Sequence, residues 1–162
     1  MAASTKTEII VTPGTQQILM SREFDAPREL VYRAYTDPTL LVRWLGPRRM
    51  AMTIDRYEVR DGGRWRYTHR DDNGEYGFHG VFHGDPSPER IVQTNEFEGM
   101  PGHVSLDTLT LEERDGKTLM RANSVFQSVE DRDGMVQSGM EEGFNESMER
   151  LDELLAHLKH AK

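Results

Sequence analysis

Residues 134–159 read GMVQSGMEEGFNESMERLDELLAHLK, and the interpretation of this stretch decides the fold. Met140, Phe144, Met148, Leu151, Leu155 and Leu158 recur every three or four positions, which places them on one side of a helix. Glu141, Glu142, Glu149, Arg150, Asp152 and Glu153 fall on the other side. The spacing predicts one long amphipathic helix from about Gly134 to Lys159. Gly139 and Gly143 would lie inside it, each costing about 1 kcal/mol relative to alanine. They are tolerable where backbone approaches a sheet closely, or where a bound molecule fills the missing volume. Nearly everything between Met50 and Gln127 reads as strand, so this helix must lie on one large antiparallel sheet. A bent sheet closed by a single helix encloses space, and such pockets suit small molecules.

Upstream, Gln16 to Phe24 reads as a first strand. Asp25-Ala26-Pro27 then starts a short helix, with a side-chain acceptor for free amides and a proline where its missing N–H costs little. Asp37-Pro38 repeats that signal, and a second short helix runs to about Trp44. Residues 1–15 are expected to be a flexible arm, although Ile9-Ile10-Val11 could add an edge strand, and residues 16–160 a single domain. Glycine-bearing turns at 61–63, 73–74, 84–88, 100–102 and 115–116 space five or six further strands. The expectation is therefore an α+β fold with a sheet of six to seven strands. Ser128 can cap a turn through Asp131 just before the long helix.

Turn parity says which side chains point inward, because a slip of one residue turns a whole strand over. The loop between Arg70 and Glu75 is Asn73-Gly74 alone or the four residues Asp71 to Gly74, and both lengths are even. Trp65, Tyr67 and His69 then share a face with Tyr76, Phe78 and Phe82, and this aromatic face is the inner one. Arg64, Arg66, Arg70, His79 and His83 face outward. A two-residue turn at Asp115-Gly116 pairs Leu111 with Met120, Leu109 with Ala122, Asp107 with Ser124 and Ser105 with Phe126. That sends Asp107 and Ser124 toward the interior as polar groups. At 60–63, hydrophobicity favours a turn that brings Tyr57 and Val59 inward.

Composition narrows the functional classes. A net charge of −8 argues against nucleic acid or an anionic membrane as partner. Cysteine is absent, which excludes disulfides, thiolate metal sites and cysteine nucleophiles. No apolar run approaches the roughly 20 residues of a membrane span, and the start, MAASTKTEII, is not a signal peptide. A soluble cytoplasmic protein is expected, as monomer or homodimer.

Chemistry-bearing residues are few. His79 and His83, four apart on a strand, stand about 13 Å apart, too far for one metal ion. No Gly-x-Ser-x-Gly elbow exists, and Gly139-x-x-x-Gly143 is no phosphate cradle. No metal, cofactor or catalytic residue is expected. His69, on the aromatic face near a strand end, is a polar contact or an acid–base group, and Asp107 is the one carboxylate that parity turns inward. The acids of the long helix read as a solvated face. The expected ligand-binding walls are Trp44, Trp65, Tyr67, Phe78, Phe82, Met120, Phe126, Met140, Phe144 and Met148, with His69 and Asp107 as polar anchors.

One set of ordered motifs carries a family resemblance. Phe24-Asp25-Ala26-Pro27-Arg28-Glu29-Leu30-Val31-Tyr32, Thr36-Asp37-Pro38, Trp44-Leu45-Gly46-Pro47, Gly62-Gly63-Arg64-Trp65-Arg66, Pro88-Glu89-Arg90-Ile91-Val92 and Gly139-Met140-Glu141-Glu142-Gly143-Phe144 resemble the SRPBCC proteins. Specifically, they are similar to the branch related to the C-terminal domain of the activator of the heat-shock protein 90 ATPase. The resemblance implies a START-like helix-grip fold with a cavity under the long helix, flanked at its mouth by the Trp44–Pro47 segment. It leaves three functions open: a carrier of a hydrophobic or amphipathic small molecule, a module with a chaperone partner whose ATPase it stimulates, and a cyclase or hydrolase using His69. The residues favour the first, with a stress-related role of unspecified chemistry behind all three.

Overall fold

In the computed structural model, which describes residues 7–160, alternating apolar strands and tight turns build one antiparallel sheet. Its strands are β1 (Glu8–Ile10), β2 (Gln17–Phe24), β3 (Ala51–Tyr57), β4 (Arg64–Asp71), β5 (Gly74–Val81), β6 (Arg90–Phe97), β7 (Val104–Arg114) and β8 (Lys117–Val125). The order β1-β2-β8-β7-β6-β5-β4-β3 is a meander from β3 to β8, with β2 returning to close on β8. Helices α1 (Arg28–Thr36) and α2 (Pro38–Leu41) make the crossover from β2 to β3. The long helix α4 (Met140–His160) completes a helix-grip α+β fold. The sheet has eight strands where six to seven were expected. The additional one is β1, which pairs Ile9 with Met20 inside the stretch expected to be a loose arm. Residues 1–6 of that arm lie outside the described residues.

The hairpin registers follow turn chemistry. Leu111 faces Met120, Leu109 faces Ala122 and Asp107 faces Ser124 across β7 and β8, as the Asp115-Gly116 turn requires. Between β4 and β5 the pairing is Arg70 with Glu75 and Tyr67 with Phe78, the register of the four-residue alternative. Asp71 and Gly74 also pair, so the loop itself tightens to Asp72-Asn73. Tyr57 turns inward, opposite Trp65 and past an irregularity between Ile54 and Arg56, and its hydroxyl donates to the Tyr35 carbonyl at 2.7 Å.

Three helix starts differ in how they are capped. Asp37 accepts from the Thr39 amide, and Ser128 accepts from the Asp131 amide, both as the sequence suggested. Asp25 does not cap α1: the N-cap is Pro27, without a side-chain bond, and the Arg28 amide donates to Glu113 of β7 instead.

The single C-terminal helix is a correction. The stretch divides into α3 (Val129–Gln137) and α4, with Ser138 and Gly139 between them. Gly139 has φ +87°, a left-handed conformation that ends a helix and that residues with a Cβ adopt at a cost. It is a hinge between two helices, not an interior glycine. On α4, Met148, Leu151, Leu154 and Leu155 are fully buried, worth roughly 1.5–3 kcal/mol each as area removed from water. Leu154 was not in the anticipated stripe.

The acidic face of α4 is also more engaged than expected. Asp152 pairs with Arg22, a buried arginine of β2, and Glu153 pairs with Arg48. The core gathers in three clusters: Phe24, Trp44, Met120, Met148 and Leu151 under α1, α2 and α4; Ile18, Met20 and Phe126 under α3; and Trp65, Phe82 and Ile91 toward β4 to β6.

Candidate functional site

Between those clusters the inner face of the sheet is neither fully apolar nor fully covered. Tyr67 and Phe78, paired across β4 and β5, have ring centroids 5.7 Å apart, and Phe78 lies 5.1 Å from Phe97 of β6. Tyr67, Phe78 and Phe97 are each only half-buried, as are Leu109 of β7, Ala122 of β8, and Met140 and Phe144 of α4. Burial raises the Tyr67 phenol well above its ordinary pKa, with Asp107 adding to the effect. The rings form a continuous aromatic wall held in edge and tilted contacts.

A polar row crosses this face. Gln93 of β6 pairs with Asp107 of β7, which pairs with Ser124 of β8, and Asn95 pairs with Ser105 alongside. The Ser105 hydroxyl donates to Asp107 Oδ1 at 3.0 Å. Desolvation pushes the Asp107 carboxyl above the usual carboxylate range, opposed by hydrogen bonding from Ser124, Ser105 and Asn95. A row of hydrogen-bonding groups set in an aromatic and aliphatic surface fixes the orientation of a molecule lying on it. Sequence parity found Asp107 and Ser124. It missed Gln93 and Asn95, because the irregular connections before and after β6 carry no parity.

His69 occupies one end of the wall. It is 8% exposed, sits edge-on to Tyr67 at 5.3 Å and to Phe78 at 5.8 Å, and its Nδ1 has no hydrogen-bond partner. Burial, and after it the charge of Arg150, lowers its pKa, which favours the neutral ring. The backbone of Gly46 presses against it: a Cβ there would lie 2.5 Å from His69 Cε1. The Trp44–Pro47 segment is pinned to α4 on its other side. The Gly46 amide donates to Ser147 Oγ at 2.8 Å, while Arg150 donates to the carbonyls of Gly46 and Arg43, each at 2.8 Å.

The twelve residues anticipated as a site therefore separate. Trp44, Trp65, Phe82, Met120, Phe126 and Met148 are buried within the core clusters. Tyr67, Phe78 and Asp107 remain partly accessible on the inner face with His69 at its end, and Met140 and Phe144 remain so on α4. The outward histidines are surface groups: His79 meets Glu98 at 2.9 Å and Glu96 at 3.5 Å, and His83 is exposed. Among the described residues no cluster of histidine, aspartate or glutamate could hold a metal ion, and no helix is long and apolar enough to cross a membrane. Two open concavities stand elsewhere: about 340 Å³ on the outer face, over Ile10, Leu19, Thr108 and Thr110, and about 380 Å³ at the rim by Arg49, Arg70 and Asp72.

A long helix laid over the inner face of an open antiparallel sheet, with two short helices in the crossover, defines the helix-grip class. The model of one family, described as activator of Hsp90 ATPase homolog 1-like protein, matches residues 25–156, and the chain belongs to that family. Among solved structures it is similar to a protein from Rhodobacter sphaeroides, with 27% identity, TM-score 0.85 and coverage of 94% of this chain and 99% of that one. A protein from Arthrobacter aurescens is also similar, at 27% identity and TM-score 0.84 over 93% of this chain and 91% of its own. Protein Ms6760 from Mycobacterium smegmatis, 23% identical with TM-score 0.84 over 93% of this chain and 96% of its own, shares the fold. Comparison with curated proteins finds none that matches.

Proposed function

We propose that this protein binds a hydrophobic or amphipathic small molecule in the groove between the inner sheet face and helices α3 and α4. The observation that carries this reading is the partial exposure of Tyr67, Phe78, Leu109, Met140 and Phe144 around the polar row Gln93–Asp107–Ser124. Partly exposed apolar side chains that stand together, rather than scattered singly, mark a binding surface. Native mass spectrometry against a library of apolar and amphipathic compounds, followed by amide chemical-shift mapping, tests it. Shifts should centre on β4, β5, β7 and the start of α4, and Phe78→Ala should weaken binding about tenfold or more. Absence of any binder, or shifts confined to the outer concavity around Leu19 and Thr108, would remove the proposal.

The family's description supports a second reading, stimulation of an Hsp90-type ATPase. Adding the pure protein to its host's Hsp90-type chaperone should then raise ATP turnover. An unchanged rate without co-elution rejects it.

A further inference from the structure

Arg132 is a buried cation with too few partners. It lies in the first half of α3 and is 2% exposed. Its single ion pair runs from Nη2 to Asp133 Oδ1 at 2.9 Å, and the Asp133 side chain is 47% exposed. Nε and Nη1 are buried without an acceptor. Leaving guanidinium donors unmet away from water is costly. Burying this arginine makes physical sense when an acceptor from outside the chain completes it.

Its neighbours border the groove. Val136, one turn further along α3, shares a face with Arg132 and packs on the Ile18, Met20 and Phe126 cluster beside Met140 and Phe144. Helix α3 starts shortly after Phe126, and Asp131 meets His103, the residue before β7, at 2.9 Å. Helix α3 therefore starts near the end of the sheet where Ser105 and its partner Asn95 stand.

Building on the groove proposed above, we infer that Arg132 is the head-group anchor for an amphipathic organic acid, its carboxylate on the free guanidinium donors and its apolar body toward Tyr67, Phe78 and Phe144. A carboxylate fits better than a dianionic phosphate. The other inward arginine, Arg22, is already paired with Asp152, and Asp107 adds a negative group to the same face. A singly charged head balances one guanidinium, and its oxygens accept the free N–H groups in charge-assisted bonds.

Calorimetry with matched pairs tests this: decanoate against decanol, and naphthalene-1-acetate against naphthalene-1-acetamide. The wild-type protein should favour each acid over its neutral partner by about tenfold to a hundredfold, the worth of hydrogen bonds to charged groups. Arg132→Gln should erase that preference and leave binding of the neutral partners unchanged. Equal binding of acid and neutral partner, or a preference that survives in Arg132→Gln, overturns the anchor while the groove stands. Binding of no member of either pair overturns both. Should Arg132→Gln fail to fold, the wild-type Arg132 Nε–H resonance decides alone. It should move downfield with the acids and not with the neutral partners, and an unmoved resonance with acid bound overturns the assignment.

Discussion

Replacing Gly46 by alanine tests how firmly the Trp44–Pro47 segment is wedged between His69 and α4. Two separate costs apply. Gly46 has φ +94°, where a residue with a Cβ is strained by about 1–2 kcal/mol. The new methyl would also lie 2.5 Å from His69 Cε1 and 2.9 Å from Nδ1. Neither group can step aside easily. The imidazole is flanked by Tyr67 and Phe78, and the Gly46 backbone is held by Ser147 and Arg150. Overpacking of this kind costs about 1–3 kcal/mol. The sum is about 2–5 kcal/mol, which for a chain of this length lowers the melting temperature by roughly 5–15 °C. Gly84→Ala is the control, because Gly84 also has positive φ, +78°, but no atom within 4 Å of the added methyl. It should lose only the backbone part. Denaturant unfolding of Gly46→Ala, His69→Ala and the double variant then isolates the contact. Truncating His69 makes room for the methyl, so the two changes should couple by about 1–3 kcal/mol. If Gly46→Ala is no more destabilising than Gly84→Ala, or the coupling is zero, the wedge does not exist as described.

Other outcomes follow from buried charge and titration. Asp152→Asn removes the partner of buried Arg22 and should cost about 2–3 kcal/mol in urea unfolding, below the figure for a wholly buried pair because Asp152 keeps 34% of its side-chain exposure. Ser147→Ala leaves the Gly46 amide without its acceptor, and a loss of about 1–3 kcal/mol is expected in the same assay. His69 has a folded-state pKa below its unfolded value, so as pH falls below about 6.5 the unfolded chain takes up a proton that the folded chain refuses. Stability should therefore fall between pH 7 and 5, and His69→Gln should make that slope shallower; an identical slope would mean the ring titrates freely. Arg66 first and His79 second hold the Glu98 carboxyl at about 2. Its contribution is present above the ordinary glutamate range and disappears as pH falls toward 2, so Glu98→Gln should flatten the acid side of the stability profile.

The parts of the fold that were legible in the chain are those decided by near neighbours. The Asp115-Gly116 turn sets the β7–β8 register, and with it the inward aim of Leu109, Leu111 and Asp107, because a two-residue hairpin admits one alternation of faces. An even loop after Arg70 did the same for Tyr67 and Phe78. Ser128 and Asp37 cap their helices through amides two or three residues away, so their role is written locally. The C-terminal stripe announced α4, but its period continues through Gly139 and conceals the hinge, since a glycine at helical spacing reads alike in a helix interior and at a break.

What only the tertiary structure decided are contacts between segments distant in sequence. Asp25 had the chemistry of an N-cap, yet Glu113 from the far end of β7 takes the Arg28 amide. Gln93 and Asn95 join Asp107 only because β6 lies beside β7 in one register after loops of no fixed geometry. Trp44, Trp65 and Phe82 looked like walls of a pocket and became core, whereas Tyr67 and Phe78 on the same face stay partly open. The difference is what lies opposite, and that depends on where α1, α2, α3 and α4 come to rest. The amino-acid order alone set strand alternation, helix period and turn type, all interactions over a few residues. Which inward side chains are covered, and which buried charges are left wanting a partner, arises from packing of whole elements, and Arg132 inside α3 is the clearest instance.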